Sequence, residues 1–297
     1  MDLLIARIFD GIATGSLYAT IALALVVIYK STALINFAQG EMAMIGAFLV
    51  YLLSVEHGWN VYLSLLVVMA LSALGGVAVH RLVVSRFDPR EHLPLVLATL
   101  GLLLTLNALA GIVWGHHSRR LPQIFPSGNL LTYGSASLRW YTVGVLAVSL
   151  IVLTALSLFL RHSRIGLSFR AVATTLDSAR LVGIQVNRVI ALAWALAAAM
   201  GTLAATLYVS DPLRHLDPNI MDRVLIFAAA AAVLGGLDSL WGSLAGGLLL
   251  GLTESLVAGY VPWIPPELGV CVALGTLLLA LLWRPSGLFG SRVTVRV

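Results

Sequence analysis

Long apolar segments separated by short polar stretches form the dominant pattern of this chain. The segments are, in chain order, residues 8–29, 34–54, 61–80, 94–114, 140–160, 188–209, 223–237, 241–260 and 268–283. A helix needs about 20 apolar residues to cross the hydrocarbon core of a bilayer, whereas a transmembrane strand alternates over about 10 residues. The pattern therefore predicts an all-α, polytopic bundle of transmembrane helices with 8–9 spans. Segment 223–237 is the doubtful span, because it is short and contains Gly235-Gly236.

The composition supports this interpretation. Hydrophobic residues make up 60% of the 297 residues, and mean hydropathy is +0.98. Only 10% of the residues are charged, against about 25% in an average soluble protein. These values exclude a soluble globule and a disordered chain. We expect one transmembrane domain over residues 1–297, with short loops and no appended soluble domain.

The basic residues indicate how the spans are oriented. Cytoplasmic loops of membrane proteins are enriched in Lys and Arg. If the polar loop 161–187 is cytoplasmic, 12 of the 18 Lys and Arg residues fall on the cytoplasmic side. The N-terminus is then external and the C-terminus cytoplasmic. The basic residues form no continuous face, so the net charge of +5 does not predict a nucleic-acid partner.

Several catalytic chemistries lack their motifs in this chain. There is no G-x-x-x-x-G-K-[ST] phosphate loop, and the single lysine, Lys30, lies at the end of the first span, so we expect no ATP hydrolysis by that route. The single cysteine, Cys271, excludes an intramolecular disulfide and a cysteine metal site. His116 and His117 are adjacent and project in different directions. We therefore predict no catalytic residues, no metal site and no enzymatic activity, and an intramembrane enzyme has no support in the sequence.

A polar cluster interrupts the second apolar segment. Glu41 lies seven residues into segment 34–54, about 10 Å deep at 1.5 Å per residue, and it follows Asn36, Gln39 and Gly40. An acid inside a bilayer is costly and suggests function, and such a cluster suits an interrupted or re-entrant helix. Two interpretations stay open. The cluster either contacts solute as part of a translocation path or gate, or forms a structural break in which Glu41 binds a neighbouring helix.

Two further polar residues lie inside predicted spans. Asn107 belongs to segment 94–114 and Glu254 to segment 241–260. Each residue either lines a polar path or joins two helices through a hydrogen bond, which is worth roughly 0.5–1.5 kcal/mol in a membrane. Both interpretations stay open for both residues.

A glycine-rich stretch joins segment 223–237 to segment 241–260 and continues into the latter. Its turn and packing positions are Gly235, Gly236, Asp238, Gly242, Gly246, Gly247 and Gly251. Asp238 is expected to stabilise the turn through bonds to the backbone. The glycines from residue 242 onwards recur about once per helical turn, which allows a neighbouring helix to approach closely. We expect this packing within the chain, with a contact to a second subunit as the alternative.

The loop 161–187 carries a predicted amphipathic helix. Ser168 is placed to cap a helix from Phe169 to Val182, and Gly183 is placed to end it. The apolar face comprises Val172, Leu176, Ala179 and either Val182 or Gly183, and the residues away from it are Arg170, Asp177 and Arg180. The helix either lies on the lipid surface or sits in a groove of a cytoplasmic partner.

Four parts of the sequence together resemble a known family. They are FDGIATGSLYA at 9–19 with INFAQGE at 35–41, the loop 164–184, LGGLDSLWGSLAGG at 234–247 and PSGLFG at 285–290. The combination resembles the permease subunits of bacterial ATP-binding-cassette (ABC) importers for branched-chain amino acids, of the Liv-type H subunit, and the related urea and short-amide permeases. The family often has His at the position of Gln39 and commonly a simpler Gly-Ser or Gly-Asn in place of Leu237-Asp238-Ser239. These departures bear on the solute rather than on the family.

The resemblance implies a transport subunit that depends on partners. Two homologous permeases, expected as a heterodimer, would surround a central path in the bacterial cytoplasmic (inner) membrane. Two cytoplasmic ATP-binding subunits would bind ATP and Mg²⁺, and an external solute-binding protein would deliver the solute. This chain itself would hold no cofactor.

The resemblance also assigns the loop 161–187 to coupling with the ATPase. The implied coupling residues are Arg170, Ala171, Asp177, Ala179, Arg180 and Gly183. The expected function is translocation of branched-chain or other small amino acids. The alternatives are a urea or short-amide ABC permease and an ion-coupled secondary transporter that uses Glu41 or Glu254.

Overall fold

The computed structural model describes residues 2–88, 91–134, 136–261, 264–265 and 268–290, and this part of the chain is mostly helical. Each of the nine apolar segments contains a helix. These helices are α1 Asp2–Thr32, α2 Gln39–Tyr51, α3 Val61–Leu82, α4 His92–Trp114, α5 Trp140–His162, α8 Val186–Val209, α9 Ile220–Gly235, α10 Leu240–Tyr260 and α11 Gly269–Trp283. Two short helices, α6 Arg164–Thr174 and α7 Leu176–Leu181, lie in the loop between α5 and α8.

Six described helices are long and apolar enough to cross a membrane: α1, α3, α4, α5, α8 and α10. The helices α2, α9 and α11 have only 13, 16 and 15 residues, which is about 20–24 Å of helix against a hydrocarbon core of about 30 Å. A π-helical turn, Leu52–Glu56, extends α2. Helix length thus supports six of the 8–9 predicted spans, and the full count and the orientation of the termini stay predictions.

A small β-hairpin corrects the prediction of a purely α-helical chain. Strand β1, Asn129–Tyr133, pairs antiparallel with strand β2, Ala136–Arg139. Gly134 in the connecting turn has φ +59°, a conformation that glycine adopts without a steric penalty. The strands have only five and four residues. Strands this short contain too few residues to produce a clear alternation, so the loop 115–139 showed no periodicity in the sequence.

The chain divides into two compact units, each made from separate segments. The first unit comprises Met1–Val26, Phe125–Leu153 and Ile226–Val297, and we name it the α1–α10 unit. The second comprises Val27–Ile124 and Thr154–Leu225, and we name it the α2–α8 unit. The expectation of a single domain over residues 1–297 stays a prediction.

Glycine contacts hold α1 against α10 in the α1–α10 unit. A β-carbon on Gly15 would lie 2.7 Å from the Gly247 carbonyl oxygen, and one on Gly11 would lie 2.8 Å from the Leu252 Cα. Gly247 in turn faces the backbone of Ala19, where a β-carbon would lie 2.7 Å from the Ala19 Cα. Small residues permit this backbone approach. The glycine stretch of α10 therefore packs within the chain.

The glycine-rich turn between α9 and α10 is capped by a serine. The Ser239 side chain accepts a hydrogen bond from the Gly242 backbone N–H at 3.0 Å. Gly236 has φ +104°, and the Gly235 carbonyl accepts a bond from the Phe289 N–H at 3.0 Å. The cap that the structure shows is thus Ser239, whereas the stabilising role of Asp238 stays a prediction.

Helix α8 lies at the centre of the α2–α8 unit, with α2 and α3 packed along it. A β-carbon on Gly46 of α2 would lie 2.8 Å from the Thr202 Cβ, so the two helices are in close contact there. Thr202 also donates a hydrogen bond to the Ser72 side chain of α3 at 2.7 Å. These contacts fix the positions of α2 and α3 on a common, buried helix.

The predicted single helix from Phe169 to Val182 is wrong. Helix α6 begins at Arg164, where the Ser163 side chain accepts a hydrogen bond from the Gly166 N–H at 2.8 Å, so Ser163 rather than Ser168 is the cap. The helix is interrupted at Thr175, which is extended with φ −157° and ψ 117°. A β-branched residue adopts this conformation readily. Gly183 has φ +83° and follows the end of α7, as predicted.

Candidate functional site

The polar cluster lies at a break between α1 and α2. Helix α1 ends at Thr32, Ala33 has φ +55°, and α2 begins at Gln39. Inside the break, the Asn36 carboxamide oxygen accepts a hydrogen bond from the Ala38 N–H at 3.0 Å. The sequence cluster thus coincides with an interruption of the helical chain. Asn36 satisfies a backbone group that the break leaves without a helical partner.

Gln39 connects this break to α8. Its Nε2 donates to the Ala197 carbonyl at 2.9 Å, and its Oε1 accepts from Asn36 Nδ2 at 3.3 Å. Both amide side chains are buried. Gly40 packs on α9, where a β-carbon would lie 3.4 Å from the Cβ atoms of Met221 and Leu225. Asn36 and Gln39 therefore stabilise the start of α2 through hydrogen bonds.

Glu41 is the buried acid of the cluster, with 2% exposure. The Asn107 Nδ2 of α4 lies 3.5 Å from each of its carboxylate oxygens. The same Nδ2 lies 3.2 Å from the Pro218 carbonyl oxygen and 3.3 Å from Asn219 Oδ1. The Asp222 carboxyl group lies beside Glu41, within hydrogen-bonding reach. One amide therefore links α2, α4 and the segment that leads into α9.

The contacts between α2 and α4 place this cluster inside a candidate membrane span. Glu41 meets Asn107, and seven residues further along both helices Phe48 stacks on Trp114 with a centroid distance of 4.8 Å. Equal spacing on both helices shows that α2 and α4 run parallel and level. The Glu41–Asn107 contact therefore lies about 10 Å from the Trp114 end of α4. Polar groups at such a depth are costly unless they serve structure or function.

An arginine closes the Trp114 end of the same two helices. The Arg119 guanidinium lies 5.8 Å from the Phe48 ring centroid and 5.5 Å from that of Tyr51, in cation–π geometry. It also donates a hydrogen bond to the Trp114 carbonyl at 2.7 Å. The Arg119 backbone pairs with Leu216 in an antiparallel bridge. This bridge fixes the position of the segment that continues from Leu216 to Pro218, Asn219 and Asp222.

Glu254 belongs to the α1–α10 unit. The Tyr18 hydroxyl donates to Glu254 Oε2 at 2.8 Å, so the bond joins α1 to α10. The Tyr18 ring stacks on Phe227 with a centroid distance of 4.9 Å. Both Asn107 and Glu254 thus join helices, which is one of the two interpretations that the sequence left open.

Arg170 ties α6 to the end of α5. Its guanidinium donates to the carbonyl groups of Leu160 and Arg161, which belong to the last turn of α5. A cation at a helix C-terminus is favourable for the helix dipole. Ala179 is buried, and its carbonyl accepts a hydrogen bond from the Ile184 N–H at 3.0 Å. The Arg170 bonds fix α6 to the end of α5, and the Ala179–Ile184 bond closes the turn that follows α7.

The same segment exposes large apolar side chains. Leu167 is 61% exposed, Leu181 88% and Val182 74%. Asp177 and Arg180 are exposed as well. Such a surface on a short helix pair is available for contact with a partner or with lipid.

Several residues of these sites were not singled out from the sequence. Pro218, Asn219 and Asp222 contact the Glu41 cluster from a segment more than 100 residues away in sequence. Asp222 did carry a signal, since it is an acid directly before apolar segment 223–237. Tyr18, the partner of Glu254, lies inside the first apolar segment, and nothing in the local pattern distinguishes it.

Comparison with known proteins identifies the family. Residues 7–281 match the family model described as the permease component of a branched-chain amino acid transport system. The chain is 30% identical over 295 residues to the high-affinity branched-chain amino acid transport system permease protein LivH of Escherichia coli K12, covering 96% of this chain and 94% of LivH. It is 30% identical over 297 residues to BraD of Pseudomonas aeruginosa (96% and 95% covered) and 29% identical over 262 residues to the probable LivH of Methanocaldococcus jannaschii (86% and 81% covered). The chain therefore belongs to the family of permease components of branched-chain amino acid transport systems.

Proposed function

We propose that this chain is the membrane-spanning permease of an ABC importer that translocates branched-chain or other small amino acids. The observation that carries the proposal is the family match over residues 7–281, which leaves almost no part of the chain outside the permease. Relatives that are matched over 94% or more of their own length carry names of branched-chain amino acid permeases. The solute is therefore proposed from these relatives.

ATP hydrolysis and solute capture are proposed for other subunits. The chain has one lysine, Lys30, and no phosphate-loop motif, which supports separate cytoplasmic ATPase subunits that bind ATP and Mg²⁺. We propose no cofactor on this chain, a second homologous permease as a heterodimer partner and an external solute-binding protein. The proposed location is the bacterial cytoplasmic membrane, with the N-terminus outside and the C-terminus in the cytoplasm.

The cluster around Glu41 is proposed as part of the translocation path. Asn107 Nδ2 lies within 3.5 Å of four oxygen acceptors, but an amide nitrogen has only two hydrogens. The Asp222 carboxyl group, which lies beside Glu41, can share a proton with one of its oxygens, and water or the ammonium group of a solute would donate to the acceptors that remain. Glu254, with its Tyr18 partner in the α1–α10 unit, is proposed as a second polar element of the path.

The contacts within the α2–α8 unit suggest how the coupling segment acts. Arg170 links α6 to the end of α5. The bonds of the Gly183 and Ile184 N–H groups back to α7 close the short turn 182–185 that connects α7 to α8. Helix α8 in turn contacts Gln39 at the beginning of α2. If an ATPase subunit displaced α6–α7, the rigid helix α8 would therefore transmit the movement to the break before α2.

Reconstitution in proteoliposomes tests the proposed function. Uptake of radiolabelled leucine should require the permease pair, both ATPase subunits, the solute-binding protein and Mg-ATP, and ionophores should leave it unchanged. Uptake that continues without ATPase subunits and collapses with the ion gradient would show a secondary transporter instead. Competition by urea or acetamide, but not by leucine, would assign the solute to the short-amide class.

A further inference from the structure

The guanidinium group at the Trp114 end of α2 and α4 has an unused donor. Arg119 donates to the Trp114 carbonyl through Nη2. Its other terminal nitrogen, Nη1, is shielded from solvent and has no hydrogen-bond partner among the residues that the structure describes. Within the same residues, no acidic side chain forms an ion pair with Arg119. A buried donor without an acceptor is costly and calls for an explanation.

The surroundings of Arg119 hold its guanidinium group in a fixed place. The backbone is paired with Leu216 through two hydrogen bonds of 2.9 and 2.8 Å, and Leu216 is fully buried. The rings of Phe48 and Tyr51 lie beside the guanidinium in cation–π geometry. The side chain is therefore positioned before any ligand arrives, and it lies among aromatic groups of low polarity, where an ionic hydrogen bond is stronger than in water.

The charges of the neighbouring segment do not compensate Arg119. Asp211, in the segment that leads to Leu216, is buried and lies 4.0 Å from the Arg214 guanidinium. It also accepts a hydrogen bond from the Leu213 N–H at 3.2 Å. This acid is thus engaged within its own segment. The positive charge of Arg119 is available for a carboxylate, which the planar guanidinium binds in a defined geometry.

Arg119 lies above the same face of α2 that carries Glu41. Phe48, on which Arg119 packs, is seven residues after Glu41, and residues seven positions apart share a helix face. The two charged sites are therefore separated by about 10 Å along α2. Because the two charged groups of an amino acid are attached to one carbon atom, they cannot span this distance, so one solute would contact the two sites in succession.

We propose that Arg119 binds the carboxylate of the amino-acid solute and thereby selects amino acids over neutral amides. The aromatic side chains of Phe48, Tyr51 and Trp114 would contact the apolar part of the solute. A covered donor between aromatic rings suits a small carboxylate better than an acidic side chain on a flat protein surface. Binding would require rotation of the side chains that cover Nη1. The inference rests on the proposed function, which supplies the amino acid as the solute.

A matched pair of small ligands tests the proposal on the purified full-length chain in neutral detergent. Isovalerate and isovaleramide share one apolar group and differ in carrying a carboxylate or a neutral amide. The fluorescence of Trp114 reports binding, as the difference between the chain and its Trp114→Phe variant, since the chain has seven tryptophans. We expect isovalerate to change this fluorescence at concentrations at which isovaleramide has no effect.

Variants assign the response to Arg119. Arg119→Gln should weaken isovalerate binding about tenfold, because a hydrogen bond to a charged group is lost. Arg119→Lys keeps the charge without the planar donor group and should bind isovalerate with intermediate affinity. Arg120→Gln removes an exposed charge next to the site and should leave the affinity unchanged. If Arg119→Gln fails to fold, Arg119→Lys and the comparison of the two ligands provide the test.

Three results would overturn the proposal. The first is an equal response to isovalerate and isovaleramide. The second is the same loss of isovalerate binding in Arg120→Gln as in Arg119→Gln, which would show an effect of general surface charge. The third is unchanged isovalerate binding in Arg119→Gln combined with loss of docking of the solute-binding protein, which would assign Arg119 to a protein contact. Normal isovalerate binding without ATP-dependent leucine uptake would leave the carboxylate site in place and refute only the proposed function.

Discussion

At the scale of single residues, Asn107 has the most consequential contacts. Its amide nitrogen lies 3.5 Å from each oxygen of the buried Glu41 carboxyl group, and it also reaches Pro218 and Asn219. A hydrogen bond to a charged group is worth about 1.5–3 kcal/mol, and a buried charge that loses its partner costs more. The amide therefore stabilises the acid and at the same time holds together three segments of the α2–α8 unit.

Replacement of this amide tests its role. We expect Asn107→Ala to reduce leucine uptake by roughly tenfold, because Glu41 loses a donor worth about 1.5–3 kcal/mol and the Pro218–Asn219 segment loses its link to α4. The measurement is uptake per assembled complex in proteoliposomes. Thr105→Ala is the control, since among the described residues the Thr105 hydroxyl bonds only the Gly101 carbonyl of its own helix. Equal uptake by the two variants would contradict the assignment of Asn107 to the path.

At the scale of elements, close backbone contacts fix how helices pack. The contact of Gly15 with Gly247 and Leu248 brings α1 and α10 together without side chains between them. Ridges of larger residues would hold the helix axes 8–10 Å apart. The position of Tyr18 relative to Glu254 therefore depends on the close contact of Gly15 with Gly251, which lie about one turn from these residues on either helix.

The packing of α1 against α10 should not tolerate an additional methyl group at Gly15. Gly15→Ala is expected to destabilise the protein by about 1–3 kcal/mol, because the new β-carbon would meet backbone atoms that cannot rotate away. The control is Gly101→Ala in α4, where a β-carbon meets nothing within 4 Å. The midpoint of thermal unfolding in detergent should fall by several degrees for the first variant and stay unchanged for the second. Equal midpoints would show that α1 and α10 are not in this contact.

The end of α7 should be needed for coupling. Gly183 has φ +83°, which proline, with φ near −65°, cannot adopt. We expect Gly183→Pro, and likewise Asp177→Arg on the exposed side of α7, to insert in the membrane but to lose ATP-dependent uptake while ATP hydrolysis continues. Asparagine tolerates positive φ, so Gly183→Asn should retain uptake. The ratio of solute transported to ATP hydrolysed measures the effect, and a normal ratio in Gly183→Pro would refute the coupling role.

At the scale of the whole molecule, the distribution of basic residues predicts the orientation in the membrane. With the loop 161–187 inside, 12 of 18 basic residues are cytoplasmic, as expected from the enrichment of Lys and Arg in cytoplasmic loops. The loop 115–139, which contains the hairpin, is then external. Because α2, α9 and α11 are short, helix length alone does not determine on which side of the membrane each loop lies.

Thiol labelling can determine this orientation. In a Cys271→Ser background, which removes the only cysteine, we expect an impermeant maleimide to label Ser118→Cys in intact cells. Ser178→Cys should react only after the membrane is permeabilised. Both serines are exposed, so accessibility to the reagent is decided by the side of the membrane. The reverse labelling pattern would invert the assignment of every loop.

The amino-acid sequence by itself determined the elements and the family. Each of the nine apolar segments forms a helix, because a long apolar run satisfies its backbone only within itself. The break near Asn36 and the end of α7 at Gly183 could also be predicted, since each depends on residues that are close to it in sequence. The prediction of a single helix over 169–182 was wrong, because the chain is extended at Thr175 and forms two short helices there. The N-terminal cap is Ser163 rather than the expected Ser168.

Only the tertiary structure decided which polar groups meet. Glu41 and Asn107 are 66 residues apart, and Asn107 and Asn219 are 112 residues apart, so no local pattern could pair them. The pairing of Tyr18 with Glu254 depends in the same way on the approach of α1 to α10. Helix formation is governed by residues within a few turns, whereas these contacts are governed by how whole helices pack. The sequence therefore located the rare polar residues of the spans, and packing determined their partners.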